Sequence, residues 1–98
     1  MAEHVAVAGW DIGGVHIKAA RAVVHNGVLR EPRAAVRPFE VWRAPDDLAD
    51  MLRAVADQLG ISDGDPMAVT MTAELSDVFR TKREGVLHVL ESVRRAFP

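Results

Sequence analysis

A chain of 98 residues with 49% hydrophobic and 27% charged residues has the make-up of one globular domain, too short for two and too apolar for wholesale disorder. Its net charge of -2 gives no electrostatic case for nucleic acid, which calls for a basic domain. With no cysteine, disulfides, thiolate metal sites and a cysteine nucleophile are excluded, and no apolar run approaches the ~18 residues of a membrane span.

The opening Met1-Ala2-Glu3-His4 has neither a basic n-region nor a long apolar h-region, so no signal peptide is read there and the cytoplasm is the expected location. Val5 to Trp10 is an almost wholly apolar run, the pattern of a strand buried on both faces. Asp11-Ile12-Gly13-Gly14 is expected to break it. Val15 to Val24 predicts a second strand, with Val15, Ile17, Ala19 and Val23 on one parity and His16 and Lys18 on the other. Asn26-Gly27 is a tight-turn signal, because both residues tolerate positive φ. Val28 to Arg37 returns as a third strand. Pro32 has no amide hydrogen to donate, so that strand lies at an edge or is bulged there.

The period then changes. Ala44-Pro45-Asp46-Asp47 reads as a helix start, Leu48, Met51, Leu52, Val55 and Leu59 follow at helical spacing, and Gly60 sits at the C-terminal cap position. Met67 to Met71 predicts a fourth strand, parallel to the first. Thr72-Ala73-Glu74-Leu75 is expected to cap a short helix through Phe79. Thr81 and Glu84 have capping-box spacing, and Val86, Leu90, Val93 and Phe97 make the apolar stripe of a last helix. The order is β-β-β-α-β-α-α, a mixed sheet in an α/β layer. Since the last helix runs to Phe97-Pro98, residues 1–98 are expected to be the N-terminal subdomain of a longer protein.

The strongest chemical feature is the stretch Trp10 to Lys18: an apolar strand, an Asp at its end, a two-glycine turn and a return strand. Glycines let a backbone approach a ligand and aim consecutive amides at it, forming an anion cradle. An Asp beside a cradle repels bare phosphate and makes sense with a divalent cation between them. Mg²⁺ suits that place, because it bridges a carboxylate to phosphates and keeps several waters. Asp11 is the candidate metal ligand, and Gly13, Gly14 and Val15 form the turn. Lys18 adds a point charge on the same strand face as His16, which is the one histidine near the turn. The other reading of the stretch is an ordinary β-hairpin. Neither a Walker loop nor a dinucleotide fingerprint occurs.

Thr70, Thr72 and Glu74 form a second constellation, at a strand end leading into a helix start, where open α/β sheets place ligands. Two readings stand: ligand-facing groups, with Glu74 as a catalytic acid or base, or a helix cap at Thr72 and a first-turn acid at Glu74. Lys82 and Arg83 open the last helix against its dipole, either as a solvated face or as cations for an anionic ligand. The four histidines show no metal-ligand spacing. Trp10, Trp42 and the methionines read as packing residues.

The run Gly9-Trp10-Asp11-Ile12-Gly13-Gly14-Val15-His16-Ile17-Lys18-Ala19-Ala20 resembles the opening of actin-like ATPases. With Val69-Thr70-Met71-Thr72-Ala73-Glu74-Leu75-Ser76-Asp77 and Lys82-Arg83-Glu84-Gly85-Val86, it resembles more narrowly the hydantoinase/oxoprolinase-related proteins linked to tetrahydromethanopterin one-carbon transfer and methanofuran biosynthesis. The resemblance implies a ribonuclease H-like fold, Asp11 at a Mg²⁺-phosphate site, and Gly13 and Gly14 against phosphate. Many members carry Thr or Ser after the glycines; Val15 stands there in this chain, so a hydroxyl contact of ordinary ATP hydrolysis is lost. The methanofuran-pathway members resemble synthases. They join an aminomethylfuran diphosphate to γ-glutamyltyramine with loss of pyrophosphate.

Three expectations follow. The first is part of such a synthase, with Asp11 and Glu74 catalytic and with Gly13, Gly14, Val15, His16, Lys18, Thr70, Thr72 and Arg83 on the diphosphate. Its partners are that small-molecule substrate and a further lobe of the same protein, with no nucleic acid or membrane. The second is an actin-like ATP-binding or kinase lobe. The third is a non-catalytic α/β interaction domain in which the glycines only make a turn.

Overall fold

The computed structural model describes residues 4–98, so the leader reading made on Met1 to Glu3 lies outside the described residues. Four strands form one sheet in the order β3-β2-β1-β4. They are β1 His4–Ile12, β2 His16–His25, β3 Val28–Pro38 and β4 Met67–Met71, and the helices are α1 Leu48–Leu59 and α2 Lys82–Ala96. β1 pairs antiparallel with β2, and β2 antiparallel with β3. β4 pairs parallel with β1, as expected. No helix among the described residues is long and apolar enough to cross a membrane.

Local chemistry explains each junction. Asn26 (φ 52°) and Gly27 (φ 77°) make the two-residue turn between β2 and β3. At Pro32 both expectations hold. β3 is an edge strand, and its register with β2 shifts between Arg21 and Val23, beside Glu31 at φ 53°. Proline breaks the ladder there, and a bulge absorbs the break. A 3-10 turn at Pro45–Asp47 leads into α1. Gly60 (φ 76°) closes α1: its N–H reaches Asp57 O, and the Ile61 N–H reaches Ala56 O at 2.9 Å, the paired bonds of a Schellman cap. Thr81 caps α2 by accepting the Glu84 N–H at 3.1 Å, which is one half of the capping box.

Both helices cover the same face of the sheet. Alternation along the strands sends Ala8, Trp10, Ile12, Ile17 and Ala19 into the core, against Leu48, Leu52, Val55 and Leu59 of α1 and Val89 of α2. The Phe97 ring lies 5.4 Å from that of Trp10, closing the core beneath β1. Arg53 ties α1 to the loop that follows it and to α2. It pairs with Asp63, which raises the Arg53 pKa by hydrogen bonding, and reaches Ala96 O at 3.4 Å.

Four expectations are corrected. β1 is not buried on both faces: Asp11 and Val5 are exposed, because only one side of the sheet carries helices. Asp11 and Ile12 belong to β1 rather than to the turn, since both stay in register with β2 and β4. The predicted helix from Thr72 to Phe79 is only a 3-10 turn at Ala73–Leu75, and the Thr72 side chain makes no capping bond. The fully buried positions of α2 are Gly85, Val89, Ser92 and Ala96; of the predicted stripe, Val93 and Phe97 pack on the core and Val86 is half-buried, whereas Leu90 is 49% exposed. Gly85 falls where α2 meets the Glu74 backbone, which leaves no room for a Cβ.

Candidate functional site

Parallel pairing brings the C-terminal ends of β1 and β4 to one edge. Asp11 lies opposite Thr70 in that register and opposite Lys18 on its other side. Strand alternation places these three on the uncovered face, where they line a shallow groove of about 490 Å³ floored by Gly9, Ala20 and Ala34. His16 shares the parity of Lys18, and both are exposed. The Thr70 hydroxyl donates to Trp10 O at 3.2 Å, which leaves its oxygen lone pairs free. Among the described residues, Asp11, Lys18 and Arg83 form no ion pair.

Just beyond, residues 13–15 join β1 to β2. The hairpin and cradle readings describe one object. The Gly13 N–H donates to His16 O at 2.9 Å, closing the hairpin. The carbonyls of Gly14 and Val15 accept from Val41 N at 3.0 Å and Phe39 N at 2.9 Å. The N–H groups of Gly14 and Val15 donate to no protein acceptor among the described residues. A Cβ on Gly13 would stand 3.0 Å from His16 O and 3.7 Å from Thr72 Oγ1, so Thr72 does reach the turn. Around Gly14 nothing lies within 4 Å of that position.

The turn opens onto a cleft of about 560 Å³ lined by Gly14, Val15, Trp42, Thr72, Leu75, Ser76 and Asp77. Four of these, Trp42, Leu75, Ser76 and Asp77, were not assigned to the site from sequence. Trp42 is corrected from packing residue to cleft wall, being 49% exposed while Trp10 is 4% exposed. Its sequence signal is weak but present: it falls between strand and helix, outside either apolar period, and next to Arg43.

Two candidates stand apart. Glu74 is only 9% exposed, its backbone is pressed against Gly85 of α2, and its Oε2 has no partner. It therefore sits behind the cleft wall, while Asp11 projects from the uncovered face, and the two carboxylates do not form an exposed pair. Arg83 is exposed at the start of α2 and does not line the cleft.

The donor set fits Mg²⁺ better than a caged metal. No group of three metal-ligating side chains occurs among the described residues, and a mostly hydrated Mg²⁺ needs only one or two carboxylates plus substrate phosphate. Asp11, with Thr70 beside it, offers that minimum.

No protein-family model matches the chain. It is 32% identical over 93 residues to the (4-{4-[2-(gamma-L-glutamylamino)ethyl]phenoxymethyl}furan-2-yl)methanamine synthase of Methanocaldococcus jannaschii, a match covering 95% of this chain and 25% of that protein. The chain thus spans about a quarter of that relative's length. Among solved structures it is similar to the Aquifex aeolicus Ppx/GppA family member, with a TM-score of 0.57, 15% identity, and coverage of 94% of this chain and 33% of that one. The type II variant of the Aquifex aeolicus Ppx/GppA phosphatase gives a TM-score of 0.62 at 16% identity, covering 92% and 33%. At such identities the structural likeness speaks for the fold alone. That fold is a mixed four-stranded sheet with helices on one face, the α/β arrangement expected from the sequence.

Proposed function

We propose that this actin-like chain forms the diphosphate-holding part of a methanofuran-type synthase, a transferase that joins an aminomethylfuran diphosphate to γ-glutamyltyramine. The likeness to the Methanocaldococcus jannaschii synthase supports it, with the other substrate-binding groups on a further lobe. The observation that carries it is the pair of N–H groups at Gly14 and Val15 that donate to no protein acceptor among the described residues, in a turn that lines an open cleft.

In this reading those two amides hold oxygens of the departing diphosphate. Their bonds strengthen as negative charge develops on departure, which is how fixed donors lower a barrier. Gly14 leaves room for the anion, and Thr72 holds the turn from the side. Lys18 supplies a point charge from the neighbouring sheet face, with His16 beside it. Asp11 and Thr70 would hold Mg²⁺, which when bound offsets the charge of the diphosphate. Glu74 stays behind the cleft wall, with no contact to substrate. Val15 in place of a hydroxyl residue favours a leaving diphosphate over ATP hydrolysis.

Titration of the isotope-labelled chain with pyrophosphate and with ATP, each with and without Mg²⁺, tests the reading by amide shifts. The expected result is Mg²⁺-dependent pyrophosphate binding that moves Gly14 and Val15. Tighter ATP binding that depends on the adenosine half would favour an ATPase or kinase lobe. Binding of neither would favour a non-catalytic domain.

A further inference from the structure

The molecule is 51 Å long and only 22 and 18 Å across. β1, β2 and β3 run on past Ala8, the level at which β4 begins to pair with β1. Beyond that level the helix-side face leaves the core, and Ala6, Val23 and His25 are only half-buried.

Register fixes what that face presents, because residues directly opposite one another on paired strands share a face. Arg21 lies opposite Ala8 on one side and Arg33 on the other. Val23 lies opposite Ala6 and Arg30, and His25 opposite His4. Ala8 is in the core, so all of these residues stand on the helix side of the sheet. The chain as a whole carries a net charge of -2, so this basic end is local. Arg21 and Arg33 repel one another across the strands. Neither they nor Arg30 form an ion pair among the described residues, and Glu31 at the bulge pairs with none of them. Arg21 Nε and His25 Nε2 are buried without a hydrogen-bond partner, and the His4 ring stacks on that of His25 at 4.1 Å. Buried polar atoms are nearly always paired, so these two mark a place where an acceptor belongs.

Spacing selects the acceptor. The rungs at Arg21, Val23 and His25 follow one another at about 7 Å, two residues of strand. An extended peptide with an acid at every second position repeats its carboxylates at that same interval along one face. The phosphates of an oligophosphate follow at much shorter intervals. Pro32 and the bulge bar pairing along the free edge of β3, so such a peptide lies across the face and is held by side chains. An arginine fork suits this, because it donates two N–H bonds to one carboxylate. We infer that this end of the sheet is a docking surface for an extended acidic peptide, with Arg21, Arg30 and Arg33 as the carboxylate partners and His25 at its far end. The glycine turn lies at the other end of β1 and β2, so the inference is independent of the diphosphate reading.

The test is a fluorescence-anisotropy titration of the 98-residue chain with a labelled peptide of alternating glutamate and threonine. A peptide of the same composition with its glutamates in one block is the comparison, and tripolyphosphate is the competitor. The alternating peptide is expected to bind about tenfold more tightly than the block peptide. Arg30→Glu and Arg33→Glu, at exposed positions, should each weaken it about tenfold, and Arg95→Glu on α2 should leave it unchanged. Arg30→Gln and Arg33→Gln should show a smaller loss in the same direction, and circular dichroism shows whether each variant is folded. Equal affinity for the two peptides, or an equal loss in Arg95→Glu, would overturn the surface. Displacement of the alternating peptide by tripolyphosphate at equal or lower concentration would overturn the peptide in favour of a phosphate anion.

Discussion

Gly85 of α2 packs so closely on Glu74 that a Cβ at Gly85 would stand 2.5 Å from the Glu74 carbonyl oxygen. This contact seats the first turn of α2 directly on the segment that follows β4. That segment carries Thr72, Leu75, Ser76 and Asp77, so the glycine fixes one whole wall of the cleft.

Gly85→Ala is expected to destabilise the chain. Helix propensity alone predicts a gain of about 1 kcal/mol, but the methyl has only backbone to displace, and overpacking costs about 1–3 kcal/mol. An overlap with backbone at 2.5 Å puts the cost at the upper end of that range, so the net expectation is a loss of about 1–2 kcal/mol and a melting temperature lower by about 5–15 °C, read by circular dichroism. A variant as stable as the parent would mean that α2 slides freely on Glu74.

The two glycines of the turn are expected to behave differently. A methyl at Gly13 meets His16 O at 3.0 Å, so Gly13→Ala strains the hairpin by about 1 kcal/mol. A methyl at Gly14 meets nothing within 4 Å and enters the cleft. Gly14→Ala should therefore keep the melting temperature and weaken pyrophosphate about tenfold, measured by calorimetry. Unchanged affinity would separate Gly14 from the anion.

Asp11 is exposed on the uncovered face and forms no ion pair among the described residues, so Asp11→Asn should leave stability within about 0.5 kcal/mol. The Mg²⁺-dependent part of pyrophosphate binding should fall about tenfold or more, while metal-free binding stays the same or improves as a negative charge is removed. Unfolding of the variant would make Asp11 structural.

Val89 is fully buried, and its neighbour Leu90 is 49% exposed. Val89→Ala is expected to cost about 2 kcal/mol, and Leu90→Ala less than about 0.5 kcal/mol, in urea unfolding. The opposite ranking would restore the stripe that size alone predicts.

Local chemistry determined most of the fold. Asn26-Gly27, Pro32, Gly60, Thr81 and the apolar period of α1 each act within a few residues, so the turn, the bulge, both caps and one helix were legible from the chain. The parallel placement of β4 was legible too, because a strand after a helical crossover has few other places to go. Tertiary structure decided the rest. The inward face of α2 is fixed at its first turn by how near the helix comes to Glu74, where glycine alone fits, and this leaves Leu90 outside although a hydrophobic count favours it. Helices on only one side of the sheet turned Asp11, Lys18 and Thr70 outward together, although they are distant in sequence. Trp42 became a cleft wall because Val41 N is drawn to Gly14 O, which folds the end of β3 against the glycine turn. No periodicity within residues 39–43 encodes that contact; it exists only once the β1–β2 hairpin and β3 lie side by side.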